Sequence, residues 1–122
     1  MILGIGTDII EVARVKRAIS KTAFKAKVFS TREIEYCEAG KGAESFAARF
    51  AAKEAFFKAL GTGWRDGMGI TEVEILNDDL GKPSIFLSGK ALEAFEQKGA
   101  KHVHVSLSHI KDKAVAFVVI ES

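Results

Sequence analysis

The segment from residue 45 to residue 60 constrains the fold of this chain more than any other part of the sequence. On a helical wheel it is apolar on nearly every side, with three phenylalanines in one stripe and six alanines on a broad adjacent face: Phe46, Phe50 and Phe57, then Ala47, Ala48, Ala51, Ala52, Ala55 and Ala59. A helix that is apolar nearly all round is typically buried. The alanine face predicts that another segment, or a ligand, approaches this helix closely.

Two charged residues lie on this apolar helix where a charge is costly. Glu54 falls at the boundary between the phenylalanine stripe and the alanine face, and Lys58 falls among the alanines. A buried carboxylate is unfavourable unless another group pairs with it. Because the two residues are spaced i, i+4, they could simply pair with each other, which is worth about 0.2–0.5 kcal/mol on an exposed helix. The alternative is that both belong to a functional site.

The remaining pattern predicts a single α+β domain over residues 1–122, since this length fits one core. Ser30 and Glu33 form a capping box that opens a helix ending near Gly40, and Gly61 ends the central helix. A glycine-rich loop follows over 61–69. The other predicted elements are a strand at 2–8, a helix from about Glu11 to Ala18, strands at about 70–76 and 84–88, a helix at about 90–98, and strands at about 102–108 and 114–120.

The element order is therefore β-α-α-α-β-β-α-β-β, which favours a mainly antiparallel sheet packed against the long central helix. The last strand, from Ala114 to Ile120, is apolar on both faces. We expect it to lie inside the sheet or to be covered on both sides.

Composition excludes several classes of protein. No apolar run approaches the roughly 20 residues that span a bilayer, and the N-terminus lacks the basic start of a signal peptide. Cys37 is the single cysteine, so no internal disulfide is possible, and a cytoplasmic location is expected. The formal net charge of +2 is too small to argue for nucleic acid. We predict neither a nucleic-acid nor a membrane partner.

A second carboxylate, Asp8, follows the first strand. Asp often caps the helix that comes next, and this is one interpretation of Asp8. The other is that Asp8 and Glu54, from separate elements, hold a hard cation such as magnesium, which usually takes one or two carboxylates plus waters and phosphate oxygens. A lysine such as Lys58 would add a positive charge for phosphate. This combination indicates phosphoryl chemistry.

Two motifs resemble the phosphopantetheinyl transferases. One is Gly6-Thr7-Asp8 after the first strand, and the other is the run Phe50-Ala51-Ala52-Lys53-Glu54-Ala55-Phe56-Phe57-Lys58. The short single-domain length is similar to the holo-acyl-carrier-protein synthase branch of that family. The resemblance spans almost the whole chain, since it also covers Arg49, Gly61-Thr62-Gly63, Gly81-Lys82-Pro83 and Ser106-Leu107-Ser108-His109.

The resemblance implies a role for each matching residue. Asp8 and Glu54 would bind magnesium, and Lys58 would contact phosphate and steady the leaving group. Residues expected to hold coenzyme A, besides Lys58, are Arg49, Gly61, Lys82, Pro83 and His109. For three of these an ordinary role stays open: Arg49 in a surface pair, Lys82 in a turn, and His109 at a strand end.

The implied reaction is magnesium-dependent transfer of phosphopantetheine from coenzyme A to a serine of apo acyl carrier protein, with release of adenosine 3',5'-bisphosphate. Glu54 or a metal-bound water would take the serine proton. The family also implies a homotrimer with active sites between subunits. The alternative function is a non-catalytic module that binds a nucleotide or an acidic protein, which leaves the combination of Asp8 and Glu54 unexplained.

Basic residues recur on one side of the segment after Asp8, namely Arg14, Arg17, Lys21 and Lys25. They form one stripe if the first helix continues past Ala18. A solvated helix face would explain such a stripe. Because the carrier protein of the resembled family is acidic and helical, we expect instead that these four residues bind it.

Overall fold

The computed structural model describes residues 1–63 and 68–122, so the middle of the glycine-rich loop lies outside the described residues. The α+β class is confirmed. The strands are β1 (Ile2–Glu11), β2 (Val73–Asn77), β3 (Pro83–Leu87), β4 (His102–His109) and β5 (Lys113–Glu121). The helices are α1 (Val12–Ile19), α2 (Thr22–Val28), α3 (Thr31–Ala39), α4 (Ala43–Leu60) and α5 (Gly89–Gln97).

The described strands form two antiparallel sheets rather than one. A three-stranded sheet has the order β1-β5-β4, and β2 and β3 form a separate hairpin. The expectation for the last strand is confirmed, because β5 pairs on both sides. Its inner residues are fully buried, namely Ala114, Ala116, Val118 and Ile120, whereas Val115 and Phe117 on the opposite face are 37% and 45% exposed.

Strand β1 packs directly on the backbone of α4, which explains the alanine face of that helix. A Cβ atom on Gly4 would stand 2.0 Å from the carbonyl oxygen of Ala59, and a Cβ on Gly6 would stand 2.0 Å from that of Ala55. Only glycine on the strand and small residues on the helix allow this approach. The segment predicted to approach the alanines is therefore β1.

Strand β1 is longer than predicted. It continues past Asp8 to Glu11, and its last residues pair with the start of β5, where Glu11 faces Lys113. Asp8 therefore lies within the strand instead of at its end. Helix α1 begins at Val12 and takes Glu11 as its N-cap, so the interpretation of Asp8 as a helix cap is wrong.

The first predicted helix does not continue through the basic residues. Helix α1 ends at Ile19, where the Ser20 hydroxyl donates to the Arg17 carbonyl oxygen at 2.6 Å. Such a local side-chain bond competes with helix continuation. The separate helix α2 then starts after Lys21, so the structure has one helix more than the predicted element order. The prediction that the four basic residues form one stripe on a single helix is therefore wrong.

The segment before β2 also differs from its prediction. Residues Ile70–Glu72 form a 3-10 turn where a strand was expected. The Glu72 carboxylate accepts from the backbone N–H groups of Gly69 and Ala91, both at 3.1 Å. The Glu72 side chain thereby stabilises the 3-10 turn of its own segment and caps the N-terminus of α5. Pro83, expected in the turn, begins β3 opposite Asn77.

A buried ion pair ties α3 and α4 to β2. Lys53 Nζ lies 2.9 Å from Glu33 Oε1, and both side chains are fully buried. Lys53 also donates to the Val73 carbonyl oxygen at 2.5 Å, and the other Glu33 oxygen accepts from Ile75 N at 2.9 Å. The capping box predicted at Ser30 and Glu33 is confirmed, and Glu33 serves in both arrangements.

No helix of the described residues is long and apolar enough to cross a membrane.

Candidate active site

Strand β1 and helix α4 bring three predicted site residues together. Lys58 Nζ lies 3.0 Å from Asp8 Oδ1 and also donates to the Thr7 carbonyl oxygen at 3.0 Å. Glu54 lies one helical turn before Lys58. Within residues 1–63 and 68–122, Lys58 forms its ion pair with Asp8 and not with Glu54. The alternative of a simple pair within the helix is therefore wrong.

The pKa of Glu54 reflects both the burial of its side chain and the charges of its two neighbours. Burial raises the pKa of the Glu54 carboxyl, the negative charge of Asp8 raises it further, and Lys58 partly offsets both. The two carboxylates thus repel each other across the contact between β1 and α4. Because Lys58 supplies one positive charge against two negative ones, the group keeps a net charge of −1 when both acids are ionised.

This arrangement fits a divalent cation that the protein binds with few ligands. Among the described residues there is no cluster of three or more His, Cys, Asp or Glu side chains that would enclose a metal. Magnesium accepts such a site, since it usually keeps several waters and takes one or two carboxylates together with substrate phosphate oxygens. Asp8 and Glu54 are the carboxylates available, and a cation between them would relieve their repulsion.

A second group of predicted residues lines a cleft of about 240 Å³ on another side of α4. Arg49, Pro83 and His109 all border it. The Arg49 side chain is 3% exposed and stacks over the Tyr36 ring, with its guanidinium carbon 4.3 Å from the ring centroid. One Arg49 Nη donates to Asn77 Oδ1. Arg49 is therefore a buried, oriented guanidinium, and it forms no surface ion pair with the residues that the structure describes.

The predicted residues of the coenzyme site differ in whether they border this cleft. His109 ends β4, and its Nδ1 lies 2.9 Å from Glu44 Oε1 at the start of α4. Lys82 is exposed in the turn before Pro83. Gly61 is not among the residues that line the cleft: it ends α4 in the left-handed conformation with φ +86°.

The two groups face nearly opposite directions from α4. Arg49 and Lys58 are nine residues apart, which corresponds to about 900° of rotation and about 13 Å along the helix axis. Lys58 therefore points toward β1, and Arg49 points toward the β2–β3 hairpin, as their hydrogen bonds show. One copy of the chain does not gather all the predicted residues at a single point.

The four basic residues are also divided between separate elements. Arg14 and Arg17 are exposed on α1, whereas Lys21 is the N-cap of α2. Lys25 is half-buried, forms an ion pair with Glu38, and lies over the Phe46 ring. Only Arg14 and Arg17 keep the exposed helical surface that was predicted for all four.

Sequence reasoning missed two kinds of residue. Lys53 stands inside the recognised motif, yet it is fully buried in the ion pair with Glu33 and holds the fold. Tyr36 and Asn77 border the Arg49 cleft. No spacing rule connects either of them to Arg49, since the three residues come from α3, β2 and α4.

The comparisons with known proteins indicate one family, and they cover nearly the whole chain. Residues 4–118 match the family model of the 4'-phosphopantetheinyl transferase superfamily. The holo-acyl-carrier-protein synthase of Trichlorobacter lovleyi is 51% identical over 125 residues, which cover 100% of this chain and 99% of that protein. This chain is therefore similar to that enzyme from end to end.

Solved structures show the same similarity. The holo-acyl-carrier-protein synthase of Neisseria meningitidis superposes with a TM-score of 0.90 at 39% identity, covering 100% of both chains. That of Bacillus anthracis, described in complex with coenzyme A (3',5'-ADP), superposes with a TM-score of 0.83 at 38% identity, covering 100% of this chain and 98% of its own.

Proposed function

Because the chain belongs to the holo-acyl-carrier-protein synthases of the 4'-phosphopantetheinyl transferase superfamily, we propose that it moves phosphopantetheine from coenzyme A to a serine of apo acyl carrier protein in a magnesium-dependent reaction. The observation that carries this proposal is the contact between β1 and α4, which places Asp8, Glu54 and Lys58 together. Two acids that can hold a divalent cation, with one lysine beside them, suit the handling of a pyrophosphate.

In this reaction the serine oxygen forms a bond to the β-phosphorus of coenzyme A, and its hydroxyl proton would pass to a base, for which Glu54 is a candidate among this chain's own residues. The bond from that phosphorus to the bridging oxygen breaks, and adenosine 3',5'-bisphosphate leaves with its electron pair. Asp8 and Glu54 would hold magnesium, which when bound stabilises negative charge on phosphate oxygens. The Lys58 ammonium, half-exposed beside Asp8, would contact the phosphate and steady the leaving group.

The Arg49 cleft would take the nucleotide end of coenzyme A. It offers a buried guanidinium and the His109 imidazole, with Lys82 close by in the turn before Pro83. Positive charge at this cleft complements the phosphates of a nucleotide.

The opposite directions of the two groups support a homotrimer with active sites between subunits. If one copy supplies Asp8, Glu54 and Lys58, its neighbour can supply Arg49 and His109. The outer face of the three-stranded sheet offers the necessary contact surface, since it exposes apolar side chains on adjacent strands: Ile5 and Ile9 on β1, and Val115 and Phe117 on β5. Light scattering should report about three times the 13.2 kDa chain mass. A fully active monomer would contradict shared sites.

The direct test is a transfer assay read by mass spectrometry. The protein is incubated with coenzyme A, magnesium and an apo carrier protein, and the carrier should gain the mass of one phosphopantetheine group. An otherwise identical reaction with a chelator in place of magnesium is the control for metal dependence. An unchanged carrier mass, in the presence of measurable coenzyme A binding, would indicate a binding module instead of an enzyme.

A further inference from the structure

Asn77 occupies the junction between the Arg49 guanidinium and the hairpin turn that carries Lys82. It is the last residue of β2 and is half-buried. Its Oδ1 accepts from an Arg49 Nη, and its Nδ2 donates to the Gly81 carbonyl oxygen at 2.8 Å. The oxygen and the nitrogen of the Asn77 amide thus bind to Arg49 and Gly81, which line the same cleft.

The Arg49 side chain depends on this contact for its orientation. An arginine has many rotamers, and fixing one of them costs conformational entropy at the moment of binding unless the free protein has already fixed it. Arg49 is held on one side by the Tyr36 ring and at its tip by Asn77. Its Nε is buried and has no hydrogen-bond partner among the described residues, so the orientation of the guanidinium depends on the Tyr36 ring and the Asn77 contact.

The same amide stabilises the turn that ends at Pro83. Gly81 adopts φ +86°, a conformation that side-chain-bearing residues rarely adopt, and its carbonyl oxygen is the one that Asn77 binds. The Asp78 carboxylate holds the other side of the turn by accepting from Leu80 N and Lys82 N, both at 2.9 Å. Asn77 therefore fixes the turn relative to Arg49.

We propose that Asn77 is a positioning residue for the nucleotide end of the coenzyme A site, acting by orienting Arg49 against the Gly81–Pro83 turn. This inference depends on the proposed function, because it assumes that the Arg49 cleft takes the nucleotide. Asn77 acts through Arg49, so its loss weakens binding of coenzyme A while the reacting groups at Asp8, Glu54 and Lys58 stay as they are.

Two variants of Asn77 test this role. Asn77→Leu keeps the number and branching of the side-chain heavy atoms and removes both polar contacts. Asn77→Ala removes the side chain beyond Cβ, so one of the two variants remains informative if the other fails to fold. Each should raise KM for coenzyme A and Kd for adenosine 3',5'-bisphosphate about tenfold, the order expected for a lost hydrogen bond to a charged group. The value of kcat should stay within about twofold. Asp79→Ala, an exposed position in the same turn, is the matched control and should change neither constant.

A double-mutant cycle separates positioning from a general loss of structure. In an Arg49→Ala background, Asn77→Leu should change Kd for adenosine 3',5'-bisphosphate by less than about twofold, because the residue through which Asn77 acts is gone. Additive losses, or unchanged Kd in both Asn77 variants of an active enzyme, would overturn the positioning role while leaving the proposed function intact. A wild-type protein that neither binds the bisphosphate nor transfers phosphopantetheine would overturn both.

Discussion

The carbonyl oxygen of Ala55 lies 2.0 Å from the position that a Cβ atom on Gly6 would occupy. This contact sets the separation between β1 and α4. Asp8 lies two residues after Gly6, and Glu54 immediately precedes Ala55, so the same contact also brings the acids of the candidate site together. A glycine on one element and an alanine on the other thus set both the packing of β1 on α4 and the separation of the two candidate acids.

Replacing Gly6 should therefore disturb stability and activity together. In Gly6→Ala the new methyl group meets backbone, which cannot rotate away, so we expect a loss of about 3 kcal/mol in the free energy of unfolding, as for an overpacked core. Transfer activity should fall even in the fraction that remains folded, because Asp8 moves relative to Glu54. Urea denaturation and the transfer assay measure the two effects. Gly40→Ala is the matched control, since its Cβ would meet the nearest atom, the Tyr36 carbonyl oxygen, at an ordinary 3.4 Å.

Removing the charge of either acid should abolish most transfer without unfolding the protein. Asp8→Asn and Glu54→Gln barely change side-chain volume, so packing should survive, whereas the pair that would hold magnesium is broken. We expect kcat/KM to fall at least about a hundredfold in each, measured at saturating magnesium with thermal unfolding recorded in parallel. Glu35→Gln, at an exposed position on α3, should be as active as the wild type. Normal rates in both site variants would rule out the metal assignment.

The buried pair of Lys53 and Glu33 should contribute strongly to stability. Burial lowers the pKa of Lys53, and the neighbouring Glu33 carboxylate opposes that shift. In Lys53→Met the Glu33 carboxylate loses its cationic partner, which for a buried pair costs about 3–5 kcal/mol in the free energy of unfolding. The double variant Glu33→Gln with Lys53→Met should regain part of that loss, because no unpaired charge is left.

Urea denaturation of the two Lys53 variants and of Lys27→Met measures this effect. Lys27 is exposed on α2, so its replacement should leave stability nearly unchanged. Equal stability in Lys53→Met and Lys27→Met would contradict a supporting role for the pair.

Cys37 should behave as an inert core residue. It is fully buried, and burial raises the pKa of its thiol to about 11 from an ordinary value of 9.0. At pH 8 it should react with an aromatic disulfide reagent only when the protein opens, much more slowly than in urea. Because the folded-state pKa is the higher one, this thiol supports stability fully below pH 9, and that contribution is lost as pH rises toward 11.

Urea midpoints at pH 8 and pH 10.5 test that pH dependence. The fall between the two pH values should be smaller in Cys37→Ala than in the wild type, since the alanine has no proton to lose. An equal fall in both proteins would show that other groups cause the alkaline destabilisation.

Arg14 and Arg17 should contribute more to the binding of the carrier protein than to the binding of coenzyme A. Both are exposed on α1, which follows β1 and therefore Asp8. Reversing their charge, in Arg14→Glu and Arg17→Glu, should raise the apparent KM for carrier protein, and the effect should shrink with added salt as the Debye length falls from about 10 Å at 0.1 M to about 3 Å at 1 M. Lys101→Glu, exposed before β4, controls for net charge. Equal effects on both substrates would place these arginines at the coenzyme.

Features that depend on neighbouring residues could be predicted from the sequence. The Ser30 and Glu33 capping box closes within one turn of α3, and Gly61 ends α4 with a conformation that glycine adopts easily. The apolar wheel of α4 likewise indicates a buried helix wherever the rest of the chain lies. Asp8, Glu54 and Lys58 could be named as a candidate site because two local motifs contain them.

Contacts between distant segments were decided only by the tertiary structure. The carboxylate of Glu33 pairs with Lys53 from 20 residues away, and the amide of Asn77 meets Arg49 from 28 residues away. No periodicity links such positions, because their distance depends on how β1, α4 and the β2–β3 hairpin pack. The same packing decided that Lys58 bonds to Asp8 across elements, where spacing along the helix had equally allowed Glu54. Local sequence determines which groups a segment carries, and the tertiary structure decides which other groups each one meets.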